Sequence, residues 1–155
     1  MPTTRQALLA GVLRRVGRFS INKFQDRLRV QKSVYLLQAF GIYLGYNFNW
    51  YLYGPYSPAL ARDAFEVLPI TDRFEPQPFF EAATEERFAS FLKFLGDRKD
   101  DPQWMELVGS LHMLNRLYGE KGRETIFKKM AKKQPYLTEA QRIAGWQRLR
   151  DFELV

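Results

Sequence analysis

The chain has 155 residues, no cysteine and a single histidine. The first absence excludes disulfides, thiolate metal sites and cysteine nucleophiles together. It suits a reducing compartment, so a cytoplasmic location is expected. The second leaves His112 without the companion ligands that a histidine-based zinc site requires, and no metal or other cofactor is expected. No apolar run approaches the roughly 20 residues that cross a bilayer, so no membrane span is expected. A glycine-rich phosphate loop ending in Lys-Ser/Thr and a Gly-x-Ser-x-Gly nucleophile turn are both missing. Neither a Gly/Ser linker nor a repeat of solenoid length divides the chain. Acidic residues are missing from the first 25 positions, which carry Arg5, Arg14, Arg15, Arg18 and Lys23. That bias loosely resembles a transit peptide, but the apolar stretch 7–12 is short and the spacing fits an amphipathic first helix better.

Hydrophobic residues make up 46% of the sequence and charged residues 26%, an ordinary globular composition. One domain over 1–155 is expected, with an N-terminal part over 1–68 and a helical half over 84–155. The formal net charge is +7. It is uneven: residues 1–50 hold eight basic groups against one acid, 51–100 six against nine, and 101–155 ten against seven. Basic ends around an acidic middle suit a partner with negative charge, either nucleic acid or an acidic protein face.

Periodicity predicts a mainly α fold, a compact domain of about six or seven helices with a small hairpin or strand near 46–53. Leu8, Leu9, Val12, Leu13 and Val16 form one stripe of a helix over 4–18, capped by Thr3 or Thr4. A longer helix over 22–44 is apolar almost all round in its second half and stops at Gly45. The alternation of Phe48, Trp50 and Leu52 with Asn49, Tyr51 and Tyr53 reads as a strand, broken by Gly54-Pro55. Ser57-Pro58 opens a helix to Val67 or Leu68, with Arg62 and Glu66 spaced to pair. A second short strand is expected within 69–83. Thr84 caps the next helix, whose inner face is Phe88, Phe91, Leu92 and Leu95. Asp101-Pro102 opens a helix to Tyr118, with Trp104, Leu107, Val108, Leu111, Leu114 and Leu117 inward. A helix over 123–133 buries Ile126, Phe127 and Met130. The last helix begins with a capping box at Thr138 and buries Ile143, Trp146 and Leu149, and 152–155 reads as a short strand.

Little of this looks catalytic. His112 sits among Val108, Leu111, Met113 and Leu114, with only Asn115 nearby as a partner, and is expected to be structural or interfacial. Glu85-Glu86 and Asp100-Asp101 lie at helix starts, where the helix dipole and capping explain them. No catalytic residue, and no enzyme activity, is expected. Gln31, Tyr35 and Gln38 share one side of the second helix. Buried amides and phenols need partners, so this stripe should meet either another polar segment or a ligand, and internal polar contacts are the commoner case. A small-molecule ligand is not expected.

Two basic clusters are candidates for nucleic acid. One holds Arg14, Arg15, Arg18, Lys23, Arg27, Arg29 and Lys32. The other is Lys128-Lys129 with Lys132-Lys133, spaced to make one ridge that could neutralise phosphates. The three C-terminal helices have the count of a helix-turn-helix unit, whose last helix would present Gln141, Arg142, Gln147, Arg148 and Arg150.

The segments 27–38 (Arg-Leu-Arg-Val-Gln-Lys-Ser-Val-Tyr-Leu-Leu-Gln) and 50–60 (Trp-Tyr-Leu-Tyr-Gly-Pro-Tyr-Ser-Pro-Ala-Leu) carry a resemblance. Together they are similar to the Panacea domain and its bacterial, archaeal and phage relatives, which pair a Leu-x-Lys-Leu-x-Tyr-type helix with a Trp…Gly-Pro turn. The helix departs from that pattern at Val30 and Ser33, where leucines are usual; the turn is the stronger match. The resemblance covers residues 27–63. It implies a non-catalytic binding module, antitoxin-like or adaptor, that contacts a protein partner such as a co-encoded toxin. Tyr51, Tyr53 and Tyr56 are the expected contact residues, because aromatic side chains supply rigid interface area. Trp50, Gly54, Pro55 and Ser57, with Gln31, Tyr35 and Gln38, are expected to hold the motif together. The alternative is a nucleic-acid-binding regulator that uses the basic helices.

Overall fold

The computed structural model describes all 155 residues: seven helices and one two-stranded hairpin. The helices are α1 (Thr4–Val16), α2 (Phe24–Ala39), α3 (Pro58–Val67), α4 (Ala82–Leu95), α5 (Pro102–Tyr118), α6 (Arg123–Lys133) and α7 (Glu139–Asp151). Strands β1 (Asn49–Tyr51) and β2 (Gly54–Tyr56) pair antiparallel between α2 and α3. The mainly helical architecture with a small hairpin is as the periodicity predicts. No helix is long and apolar enough to cross a membrane.

Helix starts follow capping chemistry. Thr3 and Thr138 each form a capping box, with Gln6 and Gln141 reaching back. Ser57 and Asp101 accept from Leu60 and Trp104 N–H groups ahead of a first-turn proline. A core of 33 buried residues runs through both halves of the chain, with α2 and α5 at its centre. Leu36, Val108 and Leu111 are sealed from solvent there.

Several expectations are corrected. Helix α2 ends at Ala39, not at Gly45. Gly41, at φ 90°, is the left-handed residue of a Schellman cap: its N–H bonds Gln38 O (3.0 Å) and Ile42 N–H bonds Leu37 O (3.2 Å). The apolar run continues to Leu44 because Ile42 and Leu44 of the following loop are buried. The strand read over 48–53 is the first arm of the hairpin, and Gly54-Pro55 lies within its second strand rather than breaking it. Residues 68–73 form 3₁₀ turns, and no strand forms between 69 and 83. Helix α4 starts earlier than Thr84, at Ala82. The chain end is a helix cap instead of a strand: Glu153, at φ 58°, occupies the left-handed position, and Leu154 N–H returns to Leu149 O (2.9 Å).

Helix faces also differ in detail. Leu8, Leu117 and Ile143 are exposed. In α7 the cause is Gly145, where a Cβ would lie 3.1 Å from Leu107 and Leu111. The helix therefore packs on its glycine and turns Ile143 outward. Arg62 and Glu66 form no ion pair; Glu66 instead accepts from Gln6 Nε2 at 2.6 Å. That bond belongs to a cluster joining α1, α3 and the 40–48 loop. Asp63 accepts from Gln6 (3.0 Å), Arg5 (2.9 Å) and the Tyr46 hydroxyl (2.7 Å).

Candidate functional site

The polar stripe of α2 meets protein partners throughout, as a buried stripe must. Gln31 makes a two-way bond with Ser57: its Oε1 accepts from Ser57 N–H at 2.8 Å and its Nε2 donates to Ser57 O at 3.0 Å. Gln38 accepts from Leu44 and Tyr46 N–H groups, each at 3.1 Å, and donates to Tyr46 O at 2.9 Å. The Tyr35 hydroxyl lies 2.7 Å from His112 Nδ1. These side chains give the irregular backbone on both sides of the hairpin the hydrogen bonds that a longer sheet would supply.

Lys32 reaches the middle of β2 and donates to Pro55 O at 2.6 Å. It is 2% exposed, and burial, partly offset by Glu106, lowers its pKa to about 8. Glu106 is buried below it and accepts from the Tyr136 hydroxyl and from Gln134 Nε2 (2.8 Å). Burial pushes its carboxyl upward. Gln134 Nε2 also donates to Ser110 Oγ at 3.0 Å. Gly54, at φ 93°, lies so close above that a Cβ would fall 2.2 Å from Ser110 Oγ. The two segments that carry the family resemblance are thus clamped to each other, and their hairpin is clamped to α5.

The hairpin tip is different. Tyr51 is 59% exposed, Leu52 69% and Tyr53 38%, joined by Phe24 at 45% and Tyr136 at 49%. Phe24 meets Tyr53 edge to face at 5.0 Å between ring centres, and Tyr51 lies 5.4 Å from the half-buried Tyr56. A hollow of about 200 Å³ opens between the tip and α2, lined by Phe24, Leu28, Lys32, Tyr51, Tyr53 and Tyr56 among others. Neither Leu52 nor Tyr53 has positive φ. The reversal falls on Gly54, as in hairpins closed by a left-handed glycine after an ordinary turn.

The N-terminal basic cluster does not form the expected surface. Lys32 is buried under the hairpin. Arg29 is 9% exposed, lies flat on Phe19 (4.0 Å to the ring centre) and donates to Lys99 O and Arg18 O, both at 2.7 Å. Arg15 makes a bidentate pair with Glu85 at 2.6 and 2.8 Å. Arg15, and then the Phe79 N–H, hold the Glu85 carboxyl down at about 2. Arg14 donates to Phe74 O at 2.6 Å. Of the cluster, Arg18 and Lys23 remain exposed with no side-chain hydrogen bond of their own. For Arg14 and Arg15 the reason is that 69–81 runs past α1, so that Phe74 O and the nearby Glu85 take up the cations.

The second cluster does remain a surface. Lys128, Lys132 and Lys133 are exposed and Lys129 is half-buried, and none pairs with a carboxylate. Lys133 Nζ stands 5.4 Å from the centre of the Trp50 ring, so the lysine ridge adjoins the hairpin. The last helix offers less: Arg148 caps α4 through Phe94 O and Lys93 O, Arg142 donates to Leu137 O, and Gln141 serves its own capping box. His112 is buried, and burial followed by the nearby Arg116 lowers its pKa to about 4. Glu106 is the functional-looking carboxylate that sequence reading missed; its position inside an apolar helical face was the available signal.

No protein-family model, curated protein or solved structure matches the chain.

Proposed function

We propose that the chain is a non-catalytic protein-binding module, antitoxin-like or adaptor, that seats a partner on the hairpin tip. The observation that carries this reading is the contrast between the two arms of the hairpin. β2 and the residue after it are fixed by Lys32, by the Gly54–Ser110 approach and by Gln31 on Ser57, while the end of β1 and the turn expose Tyr51, Leu52 and Tyr53 beside Phe24 and Tyr136. Such side chains on a preorganised turn lose little freedom on binding. The adjacent Lys132 and Lys133 favour a partner face with an acidic rim, through faster encounter and selection against basic faces. The Panacea resemblance supports the same class and suggests a partner encoded beside this chain.

The test is co-expression of the chain with its genomic neighbour, followed by nuclease treatment and copurification. A stoichiometric complex is expected with the wild type and not with a Tyr51→Ser, Leu52→Ser, Tyr53→Ser variant that retains the wild-type unfolding midpoint. A second reading rests on the unpaired lysine ridge: a nucleic-acid contact would weaken steeply with salt. Replacing Lys128, Lys129, Lys132 and Lys133 by glutamine would then flatten that slope.

A further inference from the structure

On another face, α2, α5 and the 43–49 loop enclose a cavity of about 640 Å³. Its volume lies within the roughly 300–1,000 Å³ of small-molecule sites. The lining draws Arg116, His112 and Tyr35 from the two helices and Tyr43, Asn47, Phe48 and Asn49 from the segment 43–49, with no carboxylate among its ten residues. Arg116 forms no ion pair with any acidic group of the protein. Its guanidinium neighbours the Tyr35 oxygen and His112.

The hydrogen bonding of His112 is directional. Arg116 stands beside the Tyr35 oxygen as a donor to it; with the hydroxyl proton turned to His112 Nδ1, 2.7 Å away, the neutral ring carries its own proton on Nε2. That atom has no protein partner and is not sealed, so it opens to the cavity. Tyr35 is itself held by Phe48, edge to face at 5.3 Å. The cavity thus presents an unpaired cation, a fixed N–H donor, two amides and the faces of Tyr43 and Phe48. Tyr43 is 68% exposed, an orientation that no core contact explains. Donors without carboxylates select an acceptor-rich anion; the flat rings and amides beside them select a heteroaromatic group.

We propose that this cavity binds a small heteroaromatic phosphate of nucleoside monophosphate size, its phosphate on Arg116 and His112 Nε2–H and its ring against Tyr43 and Phe48. The site is separate from the hairpin tip and stands whether or not a protein docks there. It revises the sequence-based expectation of no small-molecule ligand: His112 and Arg116 gain meaning only once α2 and the 43–49 loop close over them.

The experiment is isothermal titration of the full chain with AMP, GMP, CMP and UMP, with the four nucleosides and inorganic phosphate as controls. At least one monophosphate is expected to bind with Kd below about 1 mM, about tenfold or more tighter than its nucleoside and than inorganic phosphate. Arg116→Gln should erase the advantage of monophosphate over nucleoside, and Tyr43→Ala should weaken both about equally. Both side chains are exposed, so the variants should keep the wild-type fold, checked by circular dichroism. Failure of all four monophosphates to bind below about 1 mM overturns the proposal. So does unchanged binding to Arg116→Gln, or inorganic phosphate binding as well as the monophosphates.

Discussion

Replacing Gly54 by alanine tests how the hairpin is held. An alanine there adopts left-handed backbone, at a cost of about 1–2 kcal/mol. Its Cβ would also fall 2.2 Å from Ser110 Oγ, so the hydroxyl must move and Gln134 Nε2 loses that acceptor. Overpacking and the lost buried bond add about 2 kcal/mol, giving about 3–4 kcal/mol in all. Ser110→Ala alone removes the acceptor but not the contact of Gln134 with Glu106, and should cost about 1 kcal/mol. In the double variant the obstructing oxygen is gone, and the remaining Ser110 Cβ, 3.3 Å away, requires a much smaller adjustment. The pair should therefore cost about 2–3 kcal/mol, less than the sum of the single changes by about 2 kcal/mol. Urea unfolding followed by tryptophan fluorescence and circular dichroism measures all three. A cost below about 1 kcal/mol for Gly54→Ala, or additive effects with Ser110→Ala, would refute the close approach as the reason for glycine.

Buried titratable groups give two pH predictions. Lys32 has its pKa lowered to about 8 in the fold from 10.5, chiefly by burial, so the unfolded chain binds more protons between those values and stability rises with pH there. The wild type should gain about 2 kcal/mol relative to Lys32→Met between about pH 7 and 9.5; parallel profiles would contradict it. His112, lowered to about 4 from 6.5 by burial and Arg116, contributes stability that is present above about pH 6.5 and lost as pH falls toward 4. His112→Gln should remove about 2 kcal/mol of that acid dependence, read as the difference between the two unfolding profiles. Glu153→Gly should stabilise the chain by about 0.5–1 kcal/mol, because glycine relieves the left-handed backbone that caps α7; destabilisation would argue for a contact of the Glu153 side chain.

The legible features were local. Thr3, Ser57-Pro58, Asp101-Pro102 and Thr138 mark helix starts because a cap and its target N–H lie three residues apart. The polar stripe of α2 was legible as a stripe that needs partners, though not which partners. Gly41 and Gly45 were harder to rank. Both have positive φ, and the Schellman role belongs to Gly41, yet the apolar run continues past it. The charged residues were least legible. Lys32 and Lys132 look alike in sequence, but one lies beneath a hairpin and the other faces solvent, a difference set by contacts 23 residues away in the first case. The Asp63 cluster depends on partners up to 60 residues distant. Periodicity carries no information at that range.

The central claim is that the fixed hairpin displays its tip for a protein. Its most direct test is the copurification of the co-expressed neighbour with the wild type and with the Tyr51→Ser, Leu52→Ser, Tyr53→Ser variant, after nuclease treatment and at matched unfolding midpoints. The account predicts a stoichiometric complex with the wild type and at least a hundredfold weaker association with the variant, about 3 kcal/mol spread over three central contacts. Equal retention of the neighbour by both proteins would contradict it, as would a wild type that retains only nucleic acid released by salt.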